Sequence, residues 1–146
     1  MTASAPSKIA VATSDTSARV GTGADAIAAA ARQIADTLDL SAIICWTFSG
    51  STGLRVARER PQLPIVAISP NLATGRKLSV AWGIHCVVAE DAHDQDDMIN
   101  RACRLAFKDG FAKAGRRVII VAGVPLGTPG ATNMIRIAFV GGDATD

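Results

Sequence analysis

Residues 42–53, AIICWTFSGSTG, decide the fold. Ala42 to Trp46 is an apolar run of strand length, and it passes directly into a turn of small and hydroxyl side chains, Thr47 to Gly53. That turn opens a helix reaching about Glu59, so the stretch is a strand, a turn and a helix in immediate succession.

The same unit recurs downstream. Pro61 and Pro64 punctuate the chain before a second strand, Ile65 to Ser69; Pro70 and Asn71 then open a helix through Leu78, and near Gly83 the chain enters a third strand, Ile84 to Ala89. An acidic loop from Glu90 to Asp97 leads into a long helix to about Ala112, then a fourth strand, Val118 to Ala122, and a glycine-rich loop, Gly123 to Gly130. The last element, Met134 to Val140, alternates Ile135, Ile137 and Phe139 with Arg136, Ala138 and Val140, as a strand less buried than its neighbours does. Upstream, Ile27, Ala30, Ala31, Ile34 and Leu38 recur at three and four residues and lay one apolar stripe along an alanine-rich helix from Asp25 to Leu38.

A parallel return to a sheet needs a crossover of about a dozen residues or more, and the Gly, Pro and Thr before Met134 cannot contain a covering helix. The fifth strand is therefore expected to run antiparallel. The architecture implied is α/β, a mixed five-stranded sheet with helices on both faces, four strands parallel and the fifth an antiparallel edge. Residues 1–23, rich in Ser, Thr, Ala and Gly, read as a linker or tail, residues 142–146 as a second tail, and neither a repeat nor a further domain is evident.

Composition agrees with one such domain. The chain has 146 residues, 49% hydrophobic and 19% charged, enough for a real core. A net charge of +2 spread along the sequence lacks the clustered basic field of a nucleic-acid or membrane-surface protein, so no nucleic acid and no membrane is expected among its partners. The longest apolar stretches, such as Val118 to Val124, fall far short of the roughly 20 residues that span a bilayer. The N-terminal stretch lacks the apolar core of a secretory signal, which points to the cytoplasm. Cys45, Cys86 and Cys103, odd in number and set in apolar segments, read as reduced core residues.

The chemistry concentrates in Thr47, Phe48, Ser49, Gly50, Ser51 and Thr52, at the carboxyl end of a strand and the start of a helix, where backbone N–H groups and the helix dipole favour an anion. Gly50 lets a ligand approach the backbone, and the hydroxyls add donors suited to a phosphate. The bland alternative is that Ser49 simply caps the helix. The segment is neither a Walker A loop nor a dinucleotide fingerprint. Gly123, Gly127, Thr128 and Gly130 lie in a second loop on the same rim, either an ordinary turn or the other wall of a crevice. Asp91, His93, Asp94, Asp96 and Asp97 read as a solvated helix start rather than a metal site, Cys45 as a packed thiol, and neither His85 nor His93 belongs to a triad motif. No catalytic residue and no metal ligand is singled out.

Three stretches together, CWTFSGST (45–52), RPQLPIVAIS (60–69) and AGVPLGTPGATN (122–133), closely resemble the C-terminal domain of pyruvate kinase. The resemblance runs from about Ala24 to Val140 and includes Trp82-Gly83-Ile84, where family members turn into the third strand. It implies a three-layer α/β/α domain over residues 24–141 with strand order 3-2-1-4-5 and the fifth strand antiparallel. Strands 1 and 4 then lie side by side, helices after them leave on opposite faces, and the crevice becomes a topological switch point.

In the family that crevice is the allosteric effector pocket. By position, Thr47 to Thr52 would hold the effector phosphate, and the loop carrying Gly123, Gly127, Thr128 and Gly130 would close over it. Relatives that respond to fructose bisphosphate often carry a lysine where Phe48 stands and an arginine near Met98. Neither charge is here, so the resemblance implies a monophosphate effector, AMP or a sugar monophosphate. The family reaction, a step of glycolysis, transfers phosphate from phosphoenolpyruvate to ADP, giving pyruvate and ATP. It uses Mg2+ and K+ in a separate barrel domain that is not within this sequence. The expected role is thus regulation and oligomerisation without catalysis by the domain alone. Its partners are the parent barrel and a second copy, as a dimer of domains and a tetramer in the parent, with the edge strand Ile135 to Val140 to be covered. The alternatives are a free-standing regulatory protein that binds a phosphometabolite and, from a different class, a small hydrolase or transferase using Cys45 or a serine.

Overall fold

The strand Ile43–Trp46 (β1) lies at the centre of the sheet, and all its residues are buried because both of its faces are covered. The structure, a computed structural model, describes residues 23–124 and 132–141. β1 pairs in parallel with Ile65–Ser69 (β2), placing Ile43 beside Ile65, and with Arg117–Ala122 (β4), placing Ile43 beside Ile119. β2 pairs in parallel with Ile84–Val88 (β3), and β4 pairs antiparallel with Met134–Phe139 (β5). The sheet is five-stranded in the order β3-β2-β1-β4-β5, as expected.

The period of two along β1 sends alternate side chains to opposite cores. Ile43 and Cys45 join Ile119 and Val121 beneath Ala28 and Ala31 of Gly23–Thr37 (α1) and Val56 of Ser51–Arg58 (α2). Ile44 and Trp46 pack with Val118 and Ile120 against Met98, Ala102 and Ala106 of Gln95–Lys108 (α4). The helix Leu72–Leu78 (α3) lies on the α2 side, where a Cβ at Gly75 would press on Cys86 and Val88 of β3. Three helices therefore cover one face and α4 alone covers the other. The expectation of helices after both β1 and β4 needs correction among the described residues: the next element after β4 is β5, and it is α4, which precedes β4, that lies on the face opposite α2.

Two ends differ from the sequence reading. α4 stops at Lys108 rather than near Ala112, because Gly110 adopts a left-handed conformation (φ 81) and the N–H groups of Phe111 and Ala112 both turn back to the Ala106 carbonyl. Phe111 then packs its ring 4.9 Å from that of His85. In β5 the expected alternation is not clean: Ile135 reaches one core and Met134 and Ala138 reach the other, while Ile137 and Phe139 are exposed.

The acidic run does begin a helix. Asp94 caps α4 by accepting from the Asp97 N–H, and Asp97 accepts from the His93 N–H and pairs with Arg101 at 3.0 Å. Among the described residues no helix is long and apolar enough to cross a membrane. The expected tails lie outside the described residues, except that Gly23 already begins α1.

Candidate functional site

Thr47 leaves β1 with its N–H still bound to the Ile68 carbonyl, and its Oγ1 accepts from the Gly50 N–H at 2.8 Å, which folds the turn back on itself. Gly50 is the N-cap of α2 and sits at φ 96, in the region that favours glycine. A side chain there would also meet Leu78 and Thr74 at 3.4 Å. With glycine in the capping position, α2 has no side-chain cap and no acidic residue in its first turn. The leading end of its dipole therefore faces the rim with no carboxylate to neutralise it, which favours an anion.

Ser49 stands one residue before the N-cap Gly50, and its hydroxyl still faces the first N–H of α2. Its Oγ lies 3.2 Å from Ser51 Oγ and 3.4 Å from the Ser51 N–H, both at the long end of hydrogen bonding. Phe48 is fixed through its carbonyl, which accepts from Thr74 Oγ1 at 2.8 Å and from Ser69 Oγ at 3.4 Å, while its ring is partly exposed. Thr52 behaves differently from the other hydroxyls. It is buried and shares a 2.6 Å hydrogen bond with the equally buried Thr132.

That contact ties the first loop to Thr132, just before β5. Thr132 lies at the foot of the second loop, and beside it the Asn133 side chain clasps Val124 at 2.8 Å on both the N–H and the carbonyl. The Asn133 amide thus acts as an extra rung beyond the β4/β5 ladder, and the Asn133 N–H bonds to Ala122. Gly123 lies at this neck and is half-buried; Gly127, Thr128 and Gly130 lie outside the described residues. Sequence reasoning missed Thr132 and Asn133, although an Asn directly after a Gly/Pro-rich loop is a recognisable turn signal. It also missed Arg55, one turn into α2, whose Nε donates to Asp25 of α1 at 3.1 Å and whose Nη1 is buried with no partner among the described residues.

Nothing at this rim resembles a nucleophile and its base. Burial pushes the Cys45 thiol up to about 12, so it is a protonated packing group at neutral pH, and burial also raises Cys86. The backbone N–H of His93, aided by Arg101, holds the Asp97 carboxyl below its ordinary range, away from the crevice at the head of α4. Among the described residues no group of three His, Cys, Asp or Glu could hold a metal ion. Among the described residues the turn offers neutral hydroxyl and N–H groups and no acid–base pair.

The family model described as pyruvate kinase, alpha/beta domain, matches residues 25–138. The chain is 57% identical over 119 residues to a pyruvate kinase of Methylorubrum extorquens, covering 82% of this chain and 25% of that protein. It is 38% identical over 116 residues to a pyruvate kinase of Geobacillus stearothermophilus, covering 80% and 20%. A pyruvate kinase of Agrobacterium vitis is 34% identical over 116 residues, covering 80% and 24%. The chain thus spans about a quarter or less of the length of these relatives.

Proposed function

We propose a regulatory function from one premise: the chain belongs to the pyruvate kinase family, as its C-terminal alpha/beta domain. The domain binds a phosphorylated effector at residues 47–52 and passes the binding energy to the assembly that carries it. The observation that carries this reading is the N-terminus of α2, headed by a left-handed glycine and free of acidic residues, at the β1/β4 switch point where open α/β sheets take ligands.

One phosphate suits the site better than two. Phe48 supplies no charge, and Met98 is fully buried beneath the sheet, so a second phosphate would lack the charge-assisted partners that make such contacts strong. AMP or a sugar monophosphate is the effector class. An effector acts by its difference in affinity between two states of the assembly. Self-association occurs through the β5 edge, where Ile137 and Phe139 are exposed beside unpaired backbone groups. The phosphoryl transfer from phosphoenolpyruvate to ADP, with its Mg2+ and K+, belongs to the remainder of a cytoplasmic parent enzyme.

The test is calorimetric titration with AMP, ribose 5-phosphate, glucose 6-phosphate and fructose 1,6-bisphosphate, using the wild-type chain and a Ser49→Ala, Ser51→Ala variant. The expected result is saturable binding of a monophosphate that the variant loses. Absence of binding by all four compounds, or binding untouched by the variant, would overturn the assignment.

A further inference from the structure

Among the described residues the two most exposed large apolar side chains share one turn: Val80, 86% exposed, and Trp82, 83% exposed, between α3 and β3. The fold does not need this tryptophan for its core, since the other one, Trp46, is buried beneath α4. Trp82 is nonetheless held in place. The Arg60 guanidinium lies over its ring at 5.7 Å, and Arg60 is the only non-glycine at positive φ (54) among the described residues. Such a backbone costs on the order of 1 kcal/mol and persists only where its surroundings fix it. Beside the stacked pair is a recess of about 250 Å³ lined by Ala57, Pro61, Leu63, Pro64 and Gly83.

A projecting Trp, an Arg stacked on it and a small apolar recess next to both form the composition of an interface anchor, where Trp and Arg are enriched. Water is a poor neighbour for this surface, since covering apolar area is worth about 25 cal/mol per Å². We infer that this turn is where the domain docks onto the remainder of a pyruvate kinase chain. The inference rests on the family role proposed above and on length: about three-quarters of the Methylorubrum relative lies outside its match to this chain. A second copy of the domain fits less well. The β5 edge, assigned above to self-association, is at the opposite side of the sheet from β3. Two self-complementary contacts on opposite edges, with parallel two-fold axes, would string domains into an open filament instead of a closed assembly.

The experiment compares thiol labelling of the isolated chain with that of a full-length exchange, in which residues 23–141 replace the matched segment of the Methylorubrum enzyme. Trp82→Cys and Val80→Cys report on the turn, Leu72→Cys reports on an exposed site outside it, and the unsubstituted proteins set the background from the native cysteines. Docking predicts labelling at positions 80 and 82 slowed at least tenfold in the exchange, with position 72 unchanged. Where the whole exchange does not fold, the same cysteines are placed in a graft of residues 79–83 alone into that relative, which keeps the rest of its native chain. Labelling at the isolated-chain rate in the folded protein overturns the inference. A folded exchange without pyruvate kinase activity counts against the family role, and its labelling still decides the docking.

Discussion

Replacing Thr52 by Val removes one half of the 2.6 Å hydroxyl pair that joins the head of α2 to the foot of the second loop. The substitution hardly changes side-chain volume, so the loss is almost entirely that of the hydrogen bond. Thr132 is 2% exposed and would be left with a buried, unsatisfied hydroxyl, which costs about 1–3 kcal/mol. Thr132→Val has the mirror effect on Thr52, itself 3% exposed. The double variant buries two methyl-bearing side chains against each other with no orphaned group, and such replacements are close to neutral. A double-mutant cycle by urea denaturation should therefore give two destabilised singles, a double no worse than either, and a coupling of about 1–3 kcal/mol. In a domain of this size each kcal/mol corresponds to about 4 °C in Tm, so each single variant should melt about 4–12 °C early. Strictly additive single effects would refute the reasoning, because they would mean that the two hydroxyls do not depend on one another.

A Cβ at Gly75 would overlap Val88 Cγ2, so Gly75→Ala should destabilise by about 1–3 kcal/mol despite its better helix propensity, and Val88→Ala should restore most of that loss in denaturation experiments. The Asp97 carboxyl has its pKa lowered in the folded chain, so its contribution to stability is complete above the unfolded value of about 4 and is lost as pH falls through the lower folded value; Asp97→Asn should flatten the acid limb of a stability–pH profile below about pH 4. The proposed self-association through β5 predicts a dimer in analytical ultracentrifugation that Phe139→Asp, which places a charge on the exposed edge, shifts to monomer; a dimer of undiminished affinity would remove β5 from the interface.

The parts of this fold that were legible in the sequence are those set by local chemistry. Ile65–Ser69 was read to the residue, because Pro64 and Pro70 bracket a run of apolar side chains. The antiparallel β5 followed from the absence of residues for a crossover. What was not legible depends on partners distant in sequence. The apolar pair Phe111 and Ala112 extends the periodicity of α4, yet both residues pack after a left-handed turn at Gly110 that only the Ala106 carbonyl and the His85 ring make favourable. The alternation marks β5 as the less buried strand, but not that Ile137 and Phe139 are the side chains left exposed. Within the candidate site, Ser49 resembles a cap by residue type, but the left-handed Gly50 takes that position. Thr52 resembles a ligand donor, but its hydroxyl is committed to a threonine 80 residues away.

The pairing of β1 with β4 also has a bearing on how the chain folds. β1, β2 and β3 with their helices form one run of local sequence, and β4 with β5 forms another, so each piece assembles from near neighbours. The register that sets Ile43 beside Ile119 must instead be closed between distant parts of the chain, and such non-local pairing slows the folding of two-state domains. The 47–52 turn belongs to the first piece and the Asn133 clasp to the second. The seam between the two pieces is the one spanned by the Thr52–Thr132 bond, which can exist only after they have met.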